Sequence, residues 1–240
     1  MDAQLLSEFL IWFLVFIASS TVHEAAHALV AWKGGDPTAK LGGQVSLNPV
    51  PHMQREPVGM VLLPLASFFL SGGKWMYGWA SAPIDPHWAR RYPLRQALMS
   101  LAGPVSNLLL LLLAYLVAKG LIAADVLSGL VEDVYLEENS TYLVVPAAGQ
   151  GESGPLRMIA FVLSVAMLLN LVLFVFNLMP ILPLDGGWIL QGLFPKTLRP
   201  LEDWFAELPS LRFVGLAIAW KLSDYPLDWS IDILLQALYG

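Results

Sequence analysis

Three apolar runs, about residues 9–32, 97–118 and 158–178, constrain this chain more than any other feature. Each is near the roughly 20 residues that a helix needs to cross a bilayer. Hydrocarbon offers no partner for a bare N–H or C=O, so each run must pair its backbone internally, as a helix. Composition agrees. Hydrophobic residues make up 57% of the 240 and charged residues only 13%, with a mean hydropathy of +0.63. The expected fold is an all-α polytopic membrane protein, a helical bundle forming one membrane-embedded domain over residues 1–240. The net charge of -6 gives no reason to expect nucleic acid as a partner. The absence of cysteine excludes disulfides, thiolate metal ligands and a cysteine nucleophile. The first eight residues carry Asp2 and Glu8 and no basic residue, so they do not read as a cleavable signal.

The stretches between the runs are less regular. Residues 40–55 mix glycine, proline and short alternating pieces and read as extended strand or hairpin. Residues 57–72 are apolar but short, and Pro64 interrupts them. Two further short apolar segments, 209–222 and 229–239, follow a short amphipathic piece that ends at Phe194. Charge orients the whole. Residues 120–155 carry six acids, Asp125, Glu132, Asp133, Glu137, Glu138 and Glu152, and no Lys or Arg. Residues 33–95 carry Lys33, Lys40, Arg55, Lys74, Arg90, Arg91 and Arg95. The basic stretch is expected on the cytoplasmic side and the acidic one outside. Both flanks of 57–72 then lie on one side, so that segment enters the membrane and returns, or lies in the interface. The bundle is thus expected to carry a re-entrant or strand-like segment between its first two full spans.

Inside the first run lies His23-Glu24-Ala25-Ala26-His27. On a helix the two histidines sit one turn apart on one face, so both imidazoles reach a single metal ion. Glu24 stands beside that ion and can take a proton from water there. A lone histidine or glutamate in a membrane helix is ordinarily a packing partner or a proton relay, and its charge is costly there. Two histidines at i and i+4 with the acid between them point to a metal instead. A catalytic zinc usually takes three protein ligands. His52 and His87 are the only other histidines, and both fall in proline-rich loops. Asp185, directly after the third run, is the better candidate. With the orientation above, the first and third runs both descend from outside to inside and bring Asp185 to the depth of His23 and His27. Taken alone, Asp185-Gly186 would read as a turn or a helix cap.

With these motifs the chain resembles the site-2 protease family of intramembrane zinc metalloproteases. His23-Glu24-Ala25-Ala26-His27 matches the first family motif. Asn177-Leu178-Met179-Pro180 followed by Asp185-Gly186 matches the second, N-x-x-P-x-x-x-x-D-G. SLNPVPH, GWASAP and LAGPVSN look like the short bacterial and archaeal subgroup, and the likeness runs from residue 9 to about 195, with no room for PDZ or CBS domains. The resemblance implies one Zn2+ ion held by His23, His27 and Asp185, with Glu24 as general base. It implies Asn177 near the metal, holding substrate backbone or the developing oxyanion. It implies a prokaryotic cell-membrane enzyme with its site towards the cytoplasm, and the 40–55 segment pairing with an unwound transmembrane protein substrate. Trp188 departs from the Arg or Ser that many relatives carry after the glycines. Ser19, Ser20 and Thr21 are equally a water path or helix-packing residues. Asn107 is equally a helix–helix hydrogen bond or a partner of a ligand. A membrane metal transporter or carrier using the same His/His/Asp set without proteolysis is the alternative reading. Trp and Tyr are expected to anchor the chain at the lipid interface.

Overall fold

A computed structural model describes residues 3–129, 141–148, 154–208 and 211–239. Glu132, Asp133, Glu137, Glu138 and Glu152 of the expected outer segment, and Asp2 near the start, lie outside the described residues. The three apolar runs form helices longer than expected: α1 (Ala3–Lys33), α6 (Pro93–Ala123) and α7 (Pro155–Asn177). All three are long and apolar enough to cross a membrane. At about 1.5 Å per residue, the 23 residues of α7 cover roughly the hydrocarbon thickness, and the 31 of α1 and α6 exceed it. Leu109, Leu113 and Leu116 on α6 are exposed, as side chains solvated by lipid would be. The three helices pack together, with α6 in contact with both others.

Between α1 and α6 the chain makes short turns. Gly42 closes α2 (Thr38–Leu41). Asn48 then caps α3 (Pro49–Arg55) by accepting a hydrogen bond from the Val50 amide. This corrects the strand expected over 40–55. Asn48 ahead of Pro49 is a helix start, because the proline presets φ at a position whose N–H needs no partner. His52, expected in an interfacial loop, lies in α3 and is buried.

The 57–72 segment is re-entrant. Val58–Leu62 forms a wide π-helical turn that runs into α4 (Leu63–Leu70). Pro64 supplies no N–H to the helix, and the wider turn accommodates the loss. The chain reverses at Gly72 (φ 69°) and Gly73 (φ 87°), a left-handed conformation that glycine adopts without cost. It then returns along itself: Tyr77 N–H donates to Ser67 Oγ at 2.9 Å and Trp79 N–H to the Gly59 carbonyl at 3.1 Å. The loop climbs beside α1. Phe68 packs on Phe9 with ring centroids 5.5 Å apart, Trp75 on Trp12 at 5.2 Å, and Gly73 lies against Leu5. Lys74 therefore sits towards the Ala3 end of α1, not with Lys33 and Arg95 as the charge pattern suggested. Thirteen helical residues rise about 20 Å, enough to carry the tip most of the way up the bundle.

Beyond α6, β1 (Leu127–Gly129) and β2 (Val144–Pro146) pair antiparallel with Ser128 opposite Val145. Ser164 of α7 accepts from the Leu143 and Val144 amides and pins this pair to the bundle. After α7 come α8 (Asp185–Leu193) and α9 (Pro195–Glu207). Segments 209–222 and 229–239 are not separate: their described residues, 211–222 and 229–239, lie in one helix, α10 (Leu211–Tyr239), with Pro226 inside it. Asp224 and Asp228 break the apolar pattern between the two pieces without breaking the helix, so hydropathy alone divides it. His87, expected in a loop, occupies the first turn of α5 (Pro86–Arg91), which Asp85 caps through the His87 amide.

The returning limb depends on Gly59, where a Cβ would collide with the carbonyl and ring of Trp79. Gly59→Ala is expected to lower stability by about 1–3 kcal/mol through this overpacking, read as a lower thermal midpoint in detergent. An unchanged midpoint would contradict the packing described.

Candidate metal centre

α1 carries both histidines on one face, and α8 brings Asp185 to them. Asp185 Oδ2 lies 3.2 Å from His23 Nε2 and 3.3 Å from His27 Nε2, and the two Nε2 atoms are 2.9 Å apart. His23, His27 and Glu24 are buried. A ligand atom from each of His23, Glu24 and His27 lies within 4.8 Å of the others. Of the expected site residues, His23, Glu24, His27 and Asp185 thus come together. Asn177 does not touch this group; it ends α7, and its amide nitrogen donates to the Leu173 carbonyl at 2.9 Å.

The protons of the two imidazoles follow from fixed backbone acceptors. Asn170 Nδ2 donates to the Ala166 carbonyl and to Ser19 Oγ, so its Oδ1 is an acceptor. Asn107 Nδ2 donates to that oxygen at 2.8 Å. Asn107 Oδ1 therefore faces His23 Nδ1 at 2.5 Å and accepts its proton. His27 Nδ1 donates to the Met99 carbonyl at 2.7 Å. In the neutral rings both Nε2 atoms are then bare lone pairs, aimed at each other and at the Asp185 carboxylate. Three electron-pair donors so placed repel unless a cation or a proton lies among them. A tetrahedral zinc with ligands at 2.0–2.2 Å sets neighbouring donors about 3.3 Å apart, so the donor set fits such an ion in chemistry and spacing.

Small residues make the approach possible. A Cβ on Gly103 of α6 would run into both Nε2 atoms, so only glycine lets α6 pass the pair. Gly186 is closed in by the Leu178 and Met179 carbonyls, and Gly187 by Leu182 and Ile181, so the chain after α7 doubles back tightly under Asp185. Leu184, not Asp185, occupies the cap position of α8, which leaves the Asp185 side chain for the centre. Gly215 gives α10 the same kind of close approach to the Leu182 carbonyl. Asn107 is both things the sequence allowed, a helix–helix link and the partner of a histidine. Ser19 serves in packing. Gly103 and Asn170 escaped the sequence reading. LAGPVSN carries the first, but nothing in its composition says which atoms the glycine must clear. Trp188 turns its indole N–H to the Pro183 carbonyl at 3.1 Å, beside the loop and away from the donors.

The family model for peptidase family M50 matches residues 11–220. The "Putative zinc metalloprotease YwhC" of Bacillus subtilis (strain 168) is 34% identical over 187 residues, which is 78% of this chain and 70% of that protein. The "Putative zinc metalloprotease Rip2" of Mycolicibacterium smegmatis is 28% identical over 193 residues, 79% of this chain and 61% of that one. No solved structure matches. The chain belongs to peptidase family M50.

Proposed function

We propose that this protein is a zinc-dependent endopeptidase that cuts peptide bonds within or near transmembrane segments of other membrane proteins, as in regulated intramembrane proteolysis. The observation that carries the reading is the convergence of two deprotonated imidazole nitrogens and one carboxylate beside Glu24, inside a span. His23, His27 and Asp185 would hold one Zn2+ ion. Zinc bound there supplies Lewis acidity, making water a usable nucleophile near neutral pH and polarising the scissile carbonyl. Glu24 takes the proton from the attacking water and returns it to the leaving nitrogen. Asn107 and the Met99 carbonyl hold the imidazoles in the tautomer that leaves Nε2 available. Asn177 would steady the substrate backbone or the oxyanion. It sits one residue from Leu178, whose carbonyl closes on Gly186 beside Asp185.

The site lies nearer the Lys33 end of α1, where Arg90, Arg91 and Arg95 also gather, and this supports a cytoplasmic-facing centre in a prokaryotic cell membrane. Membrane lipid and a transmembrane protein substrate are the partners this placement implies. The metal-carrier reading has less behind it. A carrier needs successive sites along its path, and among the described residues only one group of metal-ligating side chains occurs.

The activity test uses a single-span leucine–alanine peptide with a central glycine–serine break, in vesicles with the purified protein. The wild type is expected to cut it. Glu24→Gln is expected to lose cleavage by several orders of magnitude while keeping its zinc. Undiminished cleavage by that variant would overturn the reading. Asp185→Ala is expected to lower bound zinc from one ion per chain towards none in elemental analysis. Asn107→Leu leaves the ligands in place but frees the His23 ring, and zinc affinity is expected to fall about 10–100-fold by chelator competition.

A further inference from the structure

Past Phe194 the chain forms α9, which the metal centre does not use. Its sequence, PKTLRPLEDWFAE, divides by face. At about 100° per residue, Lys196, Arg199, Asp203 and Glu207 share one side of the helix. Leu201 and Trp204 fall on the opposite side, and Leu208, just past the last turn, extends it. The polar side is fastened to α5. Arg90 Nη2 donates to Asp203 Oδ1 at 2.6 Å, and Arg199 Nη2 donates to the Arg90 carbonyl at 3.1 Å. On the apolar side Leu201, Trp204 and Leu208 are exposed.

Both ends of α9 lie at one end of the bundle. Upstream, a Cβ on Gly192 would meet the Pro93 carbonyl and Ala97, so α8 finishes against the first turns of α6. Arg95, in those turns, donates to the Gly34 carbonyl, which places them at the Lys33 end of α1. Downstream, Gly215 of α10 lies against the Leu182 carbonyl, just past the end of α7. From there α10 runs to the other end of the bundle, where Tyr239 meets Gly129 of β1. So α9 starts and finishes on the Lys33 side and does not cross. Its 13 residues would in any case rise only about 20 Å, short of a hydrocarbon core of roughly 30 Å. Where α8 meets α6, Leu94, Leu98, Leu193 and Phe194 are exposed as well, and the apolar surface carries on from the span to α9.

We propose that α9 is an in-plane anchor that docks on the lipid leaflet at the Lys33 end of the bundle. Leu201, Trp204 and Leu208 sit among the acyl chains there, and Lys196, Arg199 and Glu207 stay at the level of headgroups and water. An apolar face set against a charged one, on a helix too short and too charged to span, is the pattern of a helix lying in the interface. Tryptophan favours that boundary, and Lys196 and Arg199 are placed to meet lipid phosphates. The anchor is joined to the donor group. The Phe194 amide bonds the Leu190 carbonyl at 2.8 Å, and the Leu198 amide bonds the Phe194 carbonyl at 3.1 Å, so hydrogen bonding continues from α8 into α9. The two helices also pack together. α8, which begins at Asp185, is thereby tied to whatever holds α9. The inference needs only the fold and stands apart from the endopeptidase reading.

The chain has no cysteine, so single spin labels can be attached to the purified full-length protein in phosphatidylcholine–phosphatidylglycerol vesicles. In Leu201→Cys, Trp204→Cys and Leu208→Cys, the label is expected to collide with oxygen severalfold more often than with a water-soluble nickel chelate. All three are expected at one depth, about 5–10 Å into the headgroup–acyl boundary. Lys196→Cys and Glu207→Cys are expected to show the reverse preference. Leu109→Cys, on the lipid-exposed middle of α6, is expected deeper than all of them. Preference for nickel at Leu201, Trp204 and Leu208 would overturn the proposal. So would a depth that changes by about 10 Å from Leu201 to Leu208, the mark of an upright helix. Labels shielded from both reagents, with dipolar broadening that dilution by unlabelled chain removes, would seat a second copy of the chain on this face and also overturn it.

Discussion

The structure depends on a chain of hydrogen bonds that begins at an ordinary helix carbonyl. Ala166 C=O accepts a hydrogen bond from Asn170, Asn170 orients Asn107, and Asn107 Oδ1 accepts one from the Nδ1–H of His23. Met99 does the same for His27 in one step. Interhelical hydrogen bonds of this kind average only about 0.6 kcal/mol in a membrane protein. Their value here is orientation more than stability. They leave two imidazole nitrogens bare and facing one carboxylate, an arrangement with low energy only around a cation or a proton. Because Asn107 belongs to α6 and Asn170 to α7, the same bonds hold three spans in register, so the fold and the tautomers are determined together.

Close approach is the second requirement, and glycine supplies it where each contact occurs. Gly103 lets α6 cross the histidine pair, Gly186 and Gly187 let the chain fold back beneath Asp185, and Gly78 lets the returning limb lie on Phe16. A methyl group at Gly103, Gly186 or Gly187 would displace an element beside the donor group. Trp79 and Ser81 fasten the same limb to Glu56, with the Ser81 hydroxyl at 2.5 Å, which ties the re-entrant loop to the end of α3.

Much of the centre was legible in the chain because its signals are local or topological. The spacing of His23 and His27 is a helix-face property, readable from two letters. Asp185 was reachable because two spans of the same direction must deliver their inner ends to one depth. What was not legible depends on tertiary contact. Residues 40–55 resemble a strand by composition, but Asn48-Pro49 starts a helix in which His52 is buried. Lys74 carries the charge of an inner loop, yet thirteen helical residues raise it towards the far end of α1, and charge counting cannot see a segment that enters and returns. Asp224 and Asp228 divide α10 by hydropathy while its backbone continues. Asn170 looks like any polar residue in a leucine-rich helix until its partners are known.

The most direct test of the central claim is zinc X-ray absorption on the purified wild-type protein. The account predicts a shell of nitrogen and oxygen at about 2.0 Å with the outer scattering of two imidazoles, and the loss of one oxygen ligand in Asp185→Ala. A zinc shell with one imidazole or none, or one unchanged by that substitution, would contradict it.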